Sequence, residues 1–122
     1  MSGKKTLVIG ASTHPWRYSF LAVNKLYQTG HEVVALGKEN GSINGVSIET
    51  GRKNFKDVDT VTLYINPSIQ KEYYDYLLNT IKPKRIIFNP GAENPELQKL
   101  SESKGIETIE ACTLVMLSAG QY

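Results

Sequence analysis

The chain is poor in the residues on which self-sufficient catalysis is usually built. Of 122 residues, one is cysteine, two are histidine and one is tryptophan. A single cysteine forms no internal disulfide, and the two histidines, His14 and His31, stand apart from it and from each other, so no Cys/His cluster has zinc spacing. That cysteine usage points to a reducing, cytoplasmic setting. Excess charge of one sign is also missing: 14 Lys and Arg against 12 Asp and Glu leave a net +2. Such a balance gives no footing for nucleic acid or for a membrane surface. The apolar runs are a handful of residues long, too short to span a bilayer, and no signal-peptide pattern opens the chain. Paired carboxylates and a Ser-His-Asp set do not stand out. Linkers, repeats and low-complexity tracts are absent, so residues 1–122 are expected to form a single domain. Apolar residues make up 40% of the chain, enough for one core.

What is there begins at once. Lys5–Ile9 reads as the first strand, with Leu7-Val8-Ile9 a continuous apolar run that stops at Gly10. A polar loop follows, and Ala22, Val23, Leu26 and Tyr27 then recur at one-face helical spacing over Tyr18–Thr29, with Gly30 at the helix-ending position. His31–Leu36 reads as a second strand, completing a βαβ unit with a right-handed crossover. Asn40-Gly41 and Asn44-Gly45 are turn signals, and Val46-Ser47-Ile48 alternates as a short edge strand. Gly51–Asp57 reads as a loop or a single helical turn. Thr60–Ile65 is rich in strand formers. Ser68 is the expected cap of a helix whose face is Ile69, Tyr73, Tyr76, Leu77 and Ile81, ended by Pro83. Arg85–Phe88 is another strand. Asn94-Pro95-Glu96 opens a helix with a cap, a first-position proline and an acid, and Leu97 and Leu100 are its expected buried side. Ile106–Ile109 is the last strand, and a short helix is expected over Cys112–Ala119.

This alternation predicts an α/β fold: a Rossmann-like, doubly wound, mainly parallel five-stranded sheet of order 3-2-1-4-5 with helices on both faces. The switch point falls between the first strand and Thr60–Ile65, and ligands in such sheets bind at the strand C-termini beside it. Gly10–Arg17, Gly37–Asn40 and Asn66–Ser68 converge there, with Pro90 and Gly91 on the same edge.

Gly10 permits a sharp turn and close approach, and the helix start beyond it favours a phosphate. Ser12 and Ser19 add hydroxyls, and Arg17 a guanidinium. Ser19 is equally readable as a helix cap, and Arg17 as a solvated charge. The dinucleotide fingerprint is absent, because GxGxxG would need glycines where Ser12 and Pro15 stand. The second strand ends in Leu36-Gly37-Lys38, where a NAD site carries an acid. Lys38 suits a phosphate better than a ribose hydroxyl, although Glu39 is one residue away.

These residues carry a resemblance. Gly10-Ala11-Ser12, Pro15, Arg17 and Ser19, then Leu26, Gly30 and His31-Glu32-Val33-Val34, resemble the CoA-binding domain family, small stand-alone Rossmann-like domains similar to the CoA-binding domain of the succinyl-CoA synthetase α subunit. The resemblance extends over nearly the whole chain, through Asp59-Thr60-Val61 to Gly105–Ile109 and Cys112. It implies coenzyme A or an acyl-CoA as ligand. Its phosphates would lie against Gly10, Ala11, Ser12, Arg17 and Ser19, its adenosine and 3′-phosphate near Gly37 and Lys38, and its adenine beside Ile65, Asn66 and Pro67. The chain departs from the family pattern at Val34-Ala35-Leu36-Gly37-Lys38, which lacks the usual proline, and at Cys112-Thr113.

Two other readings stay open: a minimal NAD(P)-dependent oxidoreductase, and a regulatory or partner subunit of an acyl-CoA ligase. A homo-oligomer is open as well. Cys112 is the one candidate nucleophile, and a lone cysteine more often fills a core. A mixed disulfide between Cys112 and CoA is a further hypothesis. His14 reads either as a phosphate contact or as an exposed loop residue, and His31 as surface. Tyr73, Tyr74 and Tyr76 read as core and rim, and Arg52, Lys53 and Lys56 as a solvated loop.

Overall fold

The computed structural model describes residues 3–122. Seven strands form one sheet in the order β3-β4-β2-β1-β5-β6-β7. They are β1 (Thr6–Ala11), β2 (Val33–Gly37), β3 (Gly41–Ile43), β4 (Val46–Glu49), β5 (Thr60–Leu63), β6 (Arg85–Phe88) and β7 (Glu107–Glu110). All neighbours pair in parallel except β3 with β4. The expected α/β class and parallel winding are therefore present, and the expected order 3-2-1-4-5 survives as β4-β2-β1-β5-β6.

The expected strand count of five is corrected to seven. One extra strand is Gly41–Ile43, which lies between the two turn signals. Asn44 (φ 50°) and Gly45 (φ 81°) both take left-handed backbone, which is what a tight two-residue hairpin requires. The turn folds Gly41–Ile43 back onto β4. The other is β7, expected as the last strand over Ile106–Ile109 but left out of the count and order of five; it extends the sheet beyond β6.

The central strands are buried on both faces, and side-chain alternation divides the core. Leu7, Ile9, Val61, Leu63, Ile86 and Phe88 meet Leu77, Ile81 and Leu97 on one side of the sheet. Val8, Ala35 and Ile48 meet Val23 and Leu26 on the other. Each large side chain removed from water in this way contributes roughly 1.5–3 kcal/mol.

The second face is covered by α1 (Tyr18–Gln28), which packs on α4 (Thr113–Ser118). Ser19, Ala22, Val23 and Leu26 form its buried stripe. On the first face lie α2 (Pro67–Gln70) and α3 (Pro95–Ser103). The segment after α2 is not one regular helix. It passes through a 3-10 turn at Lys71–Tyr73 and a π-helical stretch at Tyr76–Ile81, which ends at Lys82 in left-handed conformation. Asn66, not Ser68, is the cap of α2: its side chain accepts from the Ile69 N–H at 3.0 Å, with Pro67 in the first turn. In α3, Leu97 is buried as expected, but Leu100 is 39% exposed and Ser101 takes the inward position. The helix is nine residues, about two and a half turns, and its buried stripe follows Leu97 by four residues rather than three.

Candidate functional site

β1 pairs with β2 on one side and β5 on the other, both in parallel. Their C-terminal ends therefore share one edge, and the chain leaves them toward opposite faces. Between the departing loops is a cleft of about 490 Å³, lined by residues 10–14, Arg17, residues 37–39, residues 64–66, Ile69 and Tyr73. A hollow of similar size, about 520 Å³, lies beside Leu78, Lys82, Lys84 and Lys104. It sits at the N-terminal ends of β6 and β7, the edge opposite the one where parallel α/β sheets hold ligands.

The floor of the cleft is backbone. The β1–β2 register slips between Ile9 and Ala11, leaving Gly10 as a bulge with φ +95°. A Cβ at Gly10 would stand 2.9 Å from the Tyr64 carbonyl oxygen, so the missing side chain lets the end of β5 come in close. After the bulge the chain forms a small closed turn: the His14 N–H donates to Ser12 Oγ at 3.1 Å, and the Arg17 N–H to the His14 carbonyl at 3.0 Å. Arg17 occupies the cap position of α1, but no side chain caps that helix and its first turn carries no acid. The electropositive helix start is thus left open to an anion.

Lys38 and Glu39 are exposed on the wall formed by the end of β2. Among the described residues neither Arg17 nor Lys38 is in an ion pair. The third wall is Tyr64, Ile65 and Asn66, continued along the helical segment by Ile69 and Tyr73. The Oδ1 of Asn66 is engaged in capping α2. The exposed Arg52 guanidinium stacks over the Tyr73 ring at 4.5 Å, so that loop arginine is fixed against Tyr73.

Of the residues expected from sequence, Gly10, Ala11, Ser12, Arg17, Gly37, Lys38, Ile65 and Asn66 meet in this cleft. Ser19, Pro67, Pro90 and Gly91 lie outside its lining. Ser19 is 4% exposed, on the inner stripe of α1. Pro67 is spent on starting α2. A buried amide network follows the Pro90–Gly91 turn. Gln70 Nε2 donates to the carbonyls of Ile65 and Ala92, both at 2.8 Å, and Asn94 Nδ2 to Gln70 Oε1 at 2.8 Å.

A second network fixes the neighbouring edge. Asn89 Nδ2 donates to Thr62 Oγ1 (2.6 Å) and to the Leu63 carbonyl (2.9 Å), and its Oδ1 accepts from the Thr113 N–H (2.9 Å). The Thr62 and Thr113 hydroxyls bond at 2.8 Å. The start of α4 is thereby tied to the ends of β5 and β6. Cys112 is its cap residue, half-buried and outside the cleft lining.

Sequence reasoning passed over Thr13, Tyr64, Ile69 and Tyr73 as lining residues. Tyr64 is the next-to-last residue of the Thr60–Ile65 run, one residue past β5, and continuing the alternation of β5 by one step would have flagged it. Its hydroxyl is buried with no partner among the described residues, and burial pushes the phenol well above the ordinary tyrosine range, so it stays protonated. Ile69 and Tyr73 are four residues apart, a spacing that reads equally as core.

Among the described residues no group of three His, Cys, Asp or Glu side chains could hold a metal ion, and no helix is long and apolar enough to cross a membrane.

Comparison with known proteins agrees with the geometry. Residues 4–118 match the family model described as "CoA binding domain". A crystal structure of an uncharacterized protein superposes with a TM-score of 0.95 at 48% identity, covering 100% of both chains. A hypothetical protein from Pyrococcus horikoshii OT3 shares the fold at TM-score 0.85 and 20% identity, covering 97% of this chain and 84% of that one. A Thermus thermophilus protein does so at 0.85 and 18%, covering 98% and 91%. No curated protein matches the chain.

Proposed function

Because the chain belongs to the CoA-binding domain family, we propose that it acts as a single-domain module that binds coenzyme A or an acyl-CoA in the cleft at the ends of β1, β2 and β5. The pyrophosphate would lie over Gly10, Ala11 and Ser12, facing the uncapped start of α1 and the Arg17 guanidinium. The 3′-phosphate would sit by Gly37 and Lys38, and the adenine along Ile65 and Asn66. The observation that carries this reading is the meeting of three loops in one cleft holding two cations that form no ion pair among the described residues. A ligand with phosphates at two separated points suits that arrangement. The reading assigns binding and no reaction. Cys112 stands outside the cleft lining and has no assigned partner base.

Glu39 gives a NAD(P) site its one foothold, since it lines the cleft beside Lys38 and could accept from ribose hydroxyls. Calorimetric titration with CoA, dephospho-CoA, NAD and NADP separates the two. CoA binding most tightly, with dephospho-CoA weaker, supports the proposal. NAD binding best while CoA gives no heat would overturn it. Copurification from the native cell would distinguish a self-sufficient binder from a subunit working with an acyl-CoA ligase.

A further inference from the structure

The single tryptophan of the chain is also one of its most exposed large side chains. Trp16 is 73% exposed. Its one aromatic contact is His14, stacked on it with ring centroids 4.6 Å apart and planes 24° from parallel. His14 lines the cleft and Trp16 does not. The indole therefore stacks on a residue of the cleft lining without lining the cleft itself.

The turn that carries the pair is closed on itself by the His14-to-Ser12 and Arg17-to-His14 hydrogen bonds. It is anchored at one point: Thr13 packs on β3, where a Cβ at Gly41 would stand 2.6 Å from Thr13 Cγ2. Beyond that anchor the His14–Trp16 pair projects from a backbone held in register on both sides.

We propose that His14 is a ligand contact for the phosphates held at Ser12 and Arg17, and that Trp16 is a positioning residue that holds the imidazole over them. This rests on the CoA reading above. It adds a donor to the phosphate loop that neither the glycine nor the hydroxyls supply. The cationic and acidic neighbours of His14 in the cleft are Arg17, Lys38 and Glu39.

The test uses the intact chain, with CoA as probe, in parallel calorimetric and tryptophan-fluorescence titrations. With one tryptophan, all indole emission reports on position 16. The emission should change along the same saturation curve as the heat. His14→Ala and Trp16→Ala should each weaken CoA about tenfold, the loss of one charge-assisted hydrogen bond. Trp16→Phe, which keeps a stacking face, should stay within about twofold of the parent. Unchanged melting temperatures would show that folding is intact, as the exposure of Trp16 predicts. CoA binding with unchanged emission and an undiminished His14→Ala affinity would overturn this role and leave the CoA reading standing. CoA failing to bind at all would take both down.

Discussion

A Cβ at Gly37 would stand 2.3 Å from the carbonyl oxygen of Ala11. The two residues are register partners at the C-terminal ends of β2 and β1, just past the bulge at Gly10. The cleft floor is therefore set by backbone packed against backbone, and glycine is required there by the protein itself before any ligand arrives.

Gly37→Ala should accordingly destabilise the fold by about 1–3 kcal/mol, the usual cost of forcing an extra carbon into a packed site. The obstacle is a strand carbonyl that cannot swing away. Gly10→Ala adds the strain of a non-glycine residue at φ +95°. Urea denaturation would check both. A midpoint unchanged in either variant would mean that the strands open without cost.

Lys38→Ala should weaken CoA about tenfold and leave dephospho-CoA nearly unchanged, because only CoA carries the phosphate that Lys38 is proposed to meet. Calorimetry on the two ligands gives the answer directly. An equal loss for both would move Lys38 away from the 3′-phosphate.

Asn89 makes three hydrogen bonds from a side chain that is 2% exposed. Asn89→Ala leaves a strand carbonyl, a hydroxyl and a helix N–H with fewer partners in a buried place. The expected loss is about 2–4 kcal/mol, dominated by those unsatisfied groups. Hydrogen exchange should show the added opening at the start of α4. Protection there equal to that of the parent would show that the network is dispensable.

His31 gives a pH prediction. It is not the free surface residue that its sequence context suggests. Its Nδ1 accepts from the Lys4 N–H at 2.8 Å, and its ring meets the edge of Tyr122. Burial first, then the positive charges of Lys4 and Arg85, lower its pKa below the ordinary 6.5. A folded-state pKa below the unfolded one means that the unfolded chain binds the proton more readily. The contribution is thus complete above 6.5 and is lost as pH falls from there through the lowered value. His31→Gln removes that titration, so its stability should vary less than the parent's between about pH 7 and pH 5. Parallel urea curves across that range would decide it, and identical slopes would remove His31 from the pH response.

Much of this molecule is local in origin. The run Leu7-Val8-Ile9 ending at Gly10, the stripe Ala22, Val23 and Leu26, and the start Asn94-Pro95 each state their structure through spacing and turn chemistry within a few residues. The alternation of these elements dictated a parallel sheet, its switch point, and the convergence of Ser12, Arg17, Lys38 and Asn66. What tertiary structure alone decided are the contacts between segments far apart in the chain. Pro90 and Gly91 follow a strand on the correct edge, yet they lie outside the cleft lining. Ile69 and Tyr73 share a helical face that could equally have been core. Gly10 and Gly37, read from sequence as room for a ligand, also make room for the backbones of Tyr64 and Ala11. Side-chain periodicity says which face is buried, but not against what. That answer depends on distances of a few tenths of an ångström between backbones, which only the assembled sheet defines.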